Sequence, residues 1–224
     1  MLDLLLPHHD VDDGMGLSEV WFLGPDENTG TGGLLDWAAQ RAKERGCVWW
    51  KAFTTGKLIQ HGGIPHDRFG MTTASVEAFV KGIYNKLNLK EEEMTRIQTG
   101  GPDGDLGCNA LLQTKSKTIA VIDASGVLYD PKGLNKEELH RLCRLRFEGK
   151  ETNAMLYNSS LLSPQGFKVA QDARDIILPD GTFVASGLDF RNNFYLYKYA
   201  KSDLFNPCGG RPSSITPQNK NITR

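Results

Sequence analysis

Hydrophobic positions along this chain form short apolar runs that alternate with longer stretches of helical spacing. Residues 19–23 and 118–123 are apolar runs of strand length, and shorter candidates lie at 96–99 and 204–207. Apolar residues at positions 35, 38, 39 and 42 repeat at helical spacing, and Gly46 follows where a helix would end. The pattern therefore predicts strands and helices in alternation.

The segment 75–87 shows the clearest helical periodicity. Its apolar residues would share one face, which we expect to pack in the core. Thr72 and Thr73 come just before it, and we expect one of them to be the N-cap. The apolar residues of this face are Val76, Phe79, Val80, Ile83, Tyr84 and Leu87.

Further turn and capping signals complete the predicted fold. A short helix fits residues 106–113, and Asn135 with Glu138 resembles a capping box at the start of another. Apolar residues on both sides of 179–181 predict a hairpin. Strands alternating with helices predict an α/β fold with a largely parallel sheet, in which ligands bind at the carboxyl ends of strands.

Composition and charge exclude several classes of protein. The chain has 224 residues and a formal charge of −1, which gives no bulk attraction to nucleic acid or to an anionic membrane. No apolar run approaches the ~18–20 residues of a membrane span. The four cysteines lie far apart and form no CxxC, which predicts reduced thiols in an intracellular protein, with neither a disulfide framework nor a metal site. Motifs for serine hydrolysis, zinc hydrolysis and P-loop phosphoryl transfer are absent.

A glycine-rich loop follows the predicted strand at 96–99. Gly101, Gly104 and Gly107 are spaced so that backbone N–H groups at a helix N-terminus could approach a phosphate. Asp103 and Asp105 oppose this, because a carboxylate repels phosphate unless it points away or caps an N–H. The loop alone fits a dinucleotide contact and an ordinary tight turn equally well.

Two aspartates at strand ends are candidate functional residues. Asp123 lies 22 positions after Gly101, near the spacing of the acid that binds the adenosine ribose and favours NAD over NADP. It could equally cap the turn that follows. Asp26 lies on a loop after a predicted buried strand, where it could relay protons or form an Asx-turn. We interpret His66 as structural.

Several sequence blocks together resemble one known family. They are FLGPDENT, FTTGK, GGIPH, FGMTT, QTGGPDGDLGCN, IAVIDASGVLYDPKGL, LPDGT, and DLFNPCGGRPSSIT. These blocks resemble the NAD-dependent glutamate dehydrogenases of the large-subunit type, within the Glu/Leu/Phe/Val amino-acid dehydrogenase superfamily. The resemblance extends from about residue 19 to residue 222.

This resemblance implies oxidative deamination of L-glutamate to 2-oxoglutarate and ammonia, with hydride transfer to NAD. It implies a doubly wound, Rossmann-like sheet that is incomplete at both chain ends. Residues 1–70 would be the end of a substrate domain with Asp26 as the catalytic aspartate, and residues 71–224 the NAD-binding domain. The implied cofactor contacts are Thr72 and Thr73 near the nicotinamide, Gly100, Gly101, Pro102, Asp103 and Gly104 at the pyrophosphate, Asp123 at the adenosine ribose, and Pro207, Cys208 and Gly209 on the nicotinamide side of the cleft.

The sequence also departs from the family pattern. The glycine-rich G-G-x-K-G-G segment with the catalytic lysine is absent, and so are the later E-G-A-N and G-G-V-x-x-S blocks. We therefore expect a piece of a longer polypeptide with weak turnover or none by itself. Two alternatives stay open, a non-catalytic dinucleotide-binding fragment or paralogue and a different amino-acid dehydrogenase. The resemblance implies a homo-oligomer at full length, in the cytoplasm or the mitochondrial matrix.

Overall fold

The chain divides into two units, Met1–Phe69 and Gly70–Arg224. The computed structural model describes residues 22, 24 and 32–209. Asp26 therefore lies outside the described residues. So does the predicted strand at 19–23, of which only Phe22 is described. None of the described helices is both long and apolar enough to cross a membrane.

The first unit is built around one amphipathic helix. Helix α1 (Leu34–Glu44) confirms the prediction from apolar spacing, and Gly46 follows its C-cap with a φ of +82°. The buried face of α1 packs with Cys47 and Phe53. The short helix α2 (His66–Phe69) ends the unit.

Polar contacts attach the loop after α1 to that helix. The Asp36 carboxylate accepts a hydrogen bond from the Leu58 N–H at 2.9 Å and lies 2.9 Å from Nδ1 of His61. The buried Lys57 ammonium group donates to the Thr54 carbonyl. These contacts satisfy charged groups that would otherwise be costly to bury.

The second unit contains a five-stranded sheet of β1 (Thr95–Thr99), β2 (Lys117–Asp123), β3 (Gly126–Tyr129), β4 (Phe167–Ala170) and β7 (Leu204–Pro207). The order of the strands in the sheet is β4-β3-β2-β1-β7. Strand β1 pairs in parallel with both β2 and β7, while β3 is antiparallel to β2 and to β4. Four strands therefore run in one direction and β3 runs against them, which confirms the predicted largely parallel α/β sheet.

A separate two-stranded sheet confirms the predicted hairpin. Strands β5 (Arg174–Ile177) and β6 (Phe183–Ser186) are antiparallel. Tyr199 donates a hydrogen bond to the Asp180 carboxylate at the turn between them, at 2.9 Å. This contact attaches the hairpin to an aromatic cluster that covers one face of the larger sheet and contains Tyr129, Phe167, Phe190, Phe194 and Tyr199.

Helices cover the sheet on both faces. Helices α4 (Asp105–Gln113) and α5 (Lys136–Phe147) pack over β2 and β3 through a second apolar cluster that contains Leu111, Val121 and Leu128. Helix α6 (Gly187–Asn193) lies on the aromatic side. Asn135 caps α5 by accepting from the Glu138 N–H, which confirms the predicted helix start. The reciprocal half of the capping box is absent, because the Asn135 N–H donates to the Tyr157 hydroxyl.

The structure corrects the start of the long helix. Helix α3 (Met71–Leu87) has Gly70 as its N-cap, so neither Thr72 nor Thr73 has that role. Gly70 adopts a φ of +55°, and a Cβ there would lie 2.5 Å from Nε2 of Gln113. A close approach to α4 therefore fixes the start of α3.

The predicted apolar face of α3 is also partly wrong. Val80 and Tyr84 are buried, but Phe79, Ile83 and Leu87 are 79%, 54% and 60% exposed. The buried face instead includes Thr73 and Glu77, because β1 presents Arg96 as the partner of Glu77. The helix is therefore rotated away from its apolar stripe by polar contacts that periodicity does not reveal.

Candidate functional site

The glycine-rich loop lies at the carboxyl end of β1, between that strand and α4. The Gly100 N–H donates to the Ile122 carbonyl at 2.6 Å. Gly100 has a φ of +84°, and a Cβ there would lie 2.5 Å from the Cys208 carbonyl oxygen. This position requires glycine because the turn is left-handed and lies directly against the end of β7.

Gly101 and Gly107 are required by packing within the protein. A Cβ on Gly101 would lie 2.7 Å from Oδ2 of Asp123, and one on Gly107 would lie 2.5 Å from the Gly100 carbonyl oxygen. The first glycine brings the loop onto the end of β2, and the second brings α4 onto the loop. Neither requires a ligand as its explanation.

Gly104 differs from these glycines. It is the N-cap of α4, no side chain caps that helix, and nothing lies within 4 Å of the place a Cβ would occupy. Its φ of −120° and ψ of 153° suit any residue. The glycine therefore leaves open space beside first-turn N–H groups that have no intrahelical acceptor.

The Asp103 side chain is oriented so that it supports the loop. Its carboxylate accepts hydrogen bonds from the Gly101 N–H at 3.2 Å and from the Ala124 N–H at 3.0 Å. Arg146 donates to the Asp103 carbonyl at 2.8 Å. The carboxylate thus caps N–H groups. An aspartate in this role is compatible with a nearby phosphate, as expected from the sequence.

Asp123 lies directly beneath the loop and has no exposed surface. It accepts hydrogen bonds from the N–H and hydroxyl of Ser125, at 2.9 and 2.5 Å, and from the Ala154 N–H at 2.6 Å. Burial and the neighbouring Asp103 raise the pKa of the Asp123 carboxyl. The structure gives Asp123 an intramolecular capping role, and its contact with a ribose stays a prediction.

The remaining predicted residues differ in where they lie. Thr73 is buried and donates to the Leu106 carbonyl in the first turn of α4, at 3.1 Å, while Thr72 is exposed. The Cys208 N–H donates to the Thr99 carbonyl at 2.8 Å, and Thr99 Oγ1 donates to the Gly209 carbonyl at 3.3 Å. Pro102 is buried within the loop and Pro207 is exposed at the end of β7. The structure thus brings the loop, Asp123 and the segment 207–209 together.

A cleft of about 440 Å³ opens beside the loop, at the carboxyl end of β2. It contains two cations, Arg146 and Lys150, near the end of α5. Sequence reasoning missed this cleft because its walls come from separate segments of the chain, which no local pattern brings together. The other lining residues are Asp103, Ala124, Ser125, Glu151, Thr152, Asn153 and Gln171.

Metal ligands and disulfides do not shape the described part of the chain. Among residues 22, 24 and 32–209, no three His, Cys, Asp or Glu side chains are grouped to hold a metal ion. The four cysteines are free and buried. The candidate chemistry of the site therefore comes from backbone N–H groups, cations and open space.

Comparison with known proteins identifies the relatives of this chain. Residues 62–223 match the family described as Glutamate/Leucine/Phenylalanine/Valine dehydrogenase. The chain is 51% identical to glutamate dehydrogenase 2 of Dictyostelium discoideum over 215 residues, covering 96% of this chain and 20% of that protein. It is 48% identical to the NAD-specific glutamate dehydrogenase of Saccharomyces cerevisiae over 227 residues, covering 98% and 20%. The chain thus spans about one fifth of the length of these curated relatives.

Solved structures show the same fold. A point mutant of glutamate dehydrogenase matches with a TM-score of 0.57 and 17% identity, covering 90% of this chain and 39% of the other. A second glutamate dehydrogenase matches with a TM-score of 0.54 and 16% identity over the same shares of the two chains. From its sequence matches together with this fold, the chain belongs to the Glutamate/Leucine/Phenylalanine/Valine dehydrogenase family.

Proposed function

We propose that this chain binds NAD at the glycine-rich loop and forms the cofactor-binding part of an enzyme that oxidatively deaminates L-glutamate to 2-oxoglutarate and ammonia. Relatives that carry the name NAD-specific glutamate dehydrogenase support the choice of cofactor and substrate. The observation that carries the proposal is the open N-terminus of α4 at Gly104. Open backbone N–H groups at a helix N-terminus are suited to a pyrophosphate.

The residues of the loop fit a dinucleotide in three ways. Gly104 allows close approach of a phosphate, the first-turn N–H groups of α4 can donate to it, and the Asp103 carboxylate is occupied by other N–H groups. Arg146 and Lys150 line the adjoining cleft, where Arg146 donates to the Asp103 carbonyl and Lys150 forms an ion pair with Glu148 at 2.6 Å. When bound, NAD supplies the chemistry of hydride acceptance.

Other parts of the proposal concern residues and properties beyond this loop. Asp26 would exchange protons with the substrate amino group and with water, and Thr72, Thr73 and residues 207–209 would lie toward the nicotinamide. Homo-oligomerisation at full length and a cytoplasmic or mitochondrial location belong to the same proposal. They follow from the family resemblance.

A pair of glycine substitutions tests the cofactor site. Gly104→Val adds a side chain in open space at a backbone conformation that valine adopts readily, so the fold should be retained. We expect NADH affinity, measured by calorimetry, to fall at least about tenfold, since the side chain would hold the phosphate away from the helix. Gly82→Val is the matched control, because Gly82 also has open space around it but lies within α3.

Two outcomes would overturn the proposed site. The first is an absence of NADH binding by the unmodified, folded chain. The second is equal NADH affinity in Gly104→Val and Gly82→Val. Thermal melting of each variant shows that any loss of binding is not a loss of folding.

A further inference from the structure

A second cavity lies at the amino end of β2, whereas the glycine-rich loop lies at the carboxyl ends of the strands. Its volume is about 260 Å³, and it forms where α4 ends, β2 begins and β3 leads into α5. The seven residues of β2 separate it from the Asp123 end of that strand, a distance of roughly 20 Å. It is therefore a different site from the cleft proposed for NAD.

Positive charge dominates the lining of this cavity. One carboxylate, that of Glu92, lies among its lining residues. Like charges gathered around one cavity repel each other and raise the local concentration of anions. The cationic lining residues are Lys115, Lys117, Lys132 and Lys136.

Two of these lysines have partners within the protein. Lys115 Nζ lies 3.3 Å from Glu92 Oε1, and Lys136 Nζ donates to the Thr114 carbonyl at the end of α4, at 3.1 Å. The nearby Glu91 carboxylate accepts from the Lys115 N–H at 2.6 Å and from the Thr114 hydroxyl at 3.3 Å. Lys115 thus has an ion-pair partner, and Lys136 has a hydrogen-bond acceptor within the protein.

The other two lysines leave positive charge uncompensated. Within residues 32–209, no carboxylate forms an ion pair with Lys117 or Lys132. The stem of Lys117 lies against Gly133, where a Cβ would be 2.7 Å from Lys117 Cγ. Gly133 has a φ of +95°, so this turn both requires glycine and holds the lysine stem at the cavity wall.

The rest of the cavity wall combines the polar residues Thr114, Ser116 and Thr118 with three leucines. Leu111, Leu134 and Leu139 line it and are 2%, 8% and 3% exposed. The cavity thus combines uncompensated ammonium groups with a small hydrophobic surface. A ligand that matches it has one anionic group and one compact apolar group.

We propose that this cavity binds a small organic phosphate monoester, with the phosphate at Lys117 and Lys132 and the apolar group against the three leucines. Phosphate is favoured over carboxylate because a phosphate monoester carries about two negative charges at neutral pH and can neutralise both ammonium groups, whereas a carboxylate carries one. Lysine binds phosphate as a point charge. The volume lies below the ~300–1,000 Å³ of drug-sized sites, which favours a small metabolite over a dinucleotide.

Calorimetric titration of the 224-residue chain with phenyl phosphate tests this proposal. We expect saturable binding that persists in the presence of NAD and that is tighter than binding of inorganic phosphate or benzoate. Lys117 and Lys132 are exposed, and the double variant Lys117→Gln, Lys132→Gln should weaken binding by about tenfold, on the order of threefold to fivefold for each exposed lysine. The double variant Lys81→Gln, Lys201→Gln is the control, because it removes the same charge from exposed lysines elsewhere.

Several results would overturn the proposal. They are an absence of heat with phenyl phosphate, displacement of phenyl phosphate by NAD, equal affinity for benzoate, and equal affinity in the two double variants. If circular dichroism shows that the double variant at 117 and 132 does not fold, the two single variants decide, and unchanged affinity in both would contradict the proposal. Loss of NAD binding in Gly104→Val with phenyl phosphate binding retained would separate the two sites.

Discussion

At the scale of single residues, the main departure from a simple apolar core is a buried ion pair. Arg96 Nη1 lies 2.8 Å from Glu77 Oε1, and the two side chains are 0% and 3% exposed. Arg96 lies in β1 and Glu77 in α3, so the pair attaches the helix to the sheet. A buried pair of this kind constrains geometry more than it adds stability.

Removing one partner of this pair should be costly. Arg96→Met leaves the Glu77 carboxylate buried without its cation, and we expect a loss of about 3–5 kcal/mol in the free energy of unfolding. The double variant Glu77→Leu, Arg96→Met should be more stable than either single variant, because no charge is left unpaired. Urea unfolding measures all three, and a double variant as unstable as the sum of the single variants would contradict this interpretation.

Burial also sets the reactivity of the thiols. Burial raises the pKa of Cys208 to about 11, and all four cysteines lie within the described residues and are buried. Because the thiolate is the nucleophile, we expect no rapid reaction of the folded chain with an aromatic disulfide reagent at about pH 8. The same assay in urea should detect all four thiols, and a fast-reacting thiol in the folded chain would contradict the burial.

At the scale of elements, α3 shows how contacts override periodicity. The helix presents Phe79 to solvent and Tyr84 to the protein, with 79% and 6% exposure. Phe79→Ala should change the free energy of unfolding by less than about 0.5 kcal/mol, whereas Tyr84→Ala should cost about 3 kcal/mol. Thermal and urea unfolding compare these two aromatic-to-alanine changes on one helix, and similar losses would place the helix in a different orientation.

Helix α5 is attached to the segment that follows it through Glu138. The Glu138 carboxylate accepts from Arg141 Nε at 2.7 Å and from the Asn158 N–H at 3.0 Å. The hydrogen bond from Arg141 lowers the pKa of Glu138 below its usual 4.5, although burial opposes this. The contact therefore adds stability above the unfolded-state pKa and loses it as pH falls through the lower, folded-state pKa.

Substitution of Glu138 tests that dependence on pH. Glu138→Gln should lower the free energy of unfolding by about 1–2 kcal/mol at neutral pH, since a charged hydrogen-bond acceptor is lost. The difference from the unmodified chain should narrow below about pH 4.5, where the unfolded carboxyl is protonated. Denaturant unfolding at a series of pH values measures the free energy of unfolding of both proteins. A difference between them that stays constant into strong acid would exclude this role for the carboxylate.

At the scale of the whole molecule, cofactor binding and turnover can be separated. Catalysis needs a positioned acid and base together with substrate anchors, and the sequence contains no G-G-x-K-G-G, E-G-A-N or G-G-V-x-x-S block. We expect the chain to bind NAD but to form little or no NADH with L-glutamate. A spectrophotometric assay of NADH formation tests this expectation, and robust turnover would contradict it.

Much of the second unit could be predicted from local sequence. Strands β1, β2 and β7, the hairpin and the capped start of α5 follow from apolar runs and turn residues, because those signals act over a few positions. Local sequence did not predict β3 and β4 as strands, since their pairing depends on neighbours in the sheet. The same limit explains why the cleft at Arg146 and Lys150 was missed, because its walls come from separate loops.

The sequence by itself determined the α/β class and the glycine-rich loop, because apolar periodicity and glycine spacing are local properties of the chain. The family was indicated by the resemblance of its sequence blocks to known proteins. Only the tertiary structure decided what each glycine does. Gly100, Gly101 and Gly107 allow close packing, whereas Gly104 leaves open space. It also decided that the carboxyl of Asp123 is enclosed and that Lys117 and Lys132 share a cavity. These properties depend on atoms far apart in sequence, and only folding brings such atoms within contact distance.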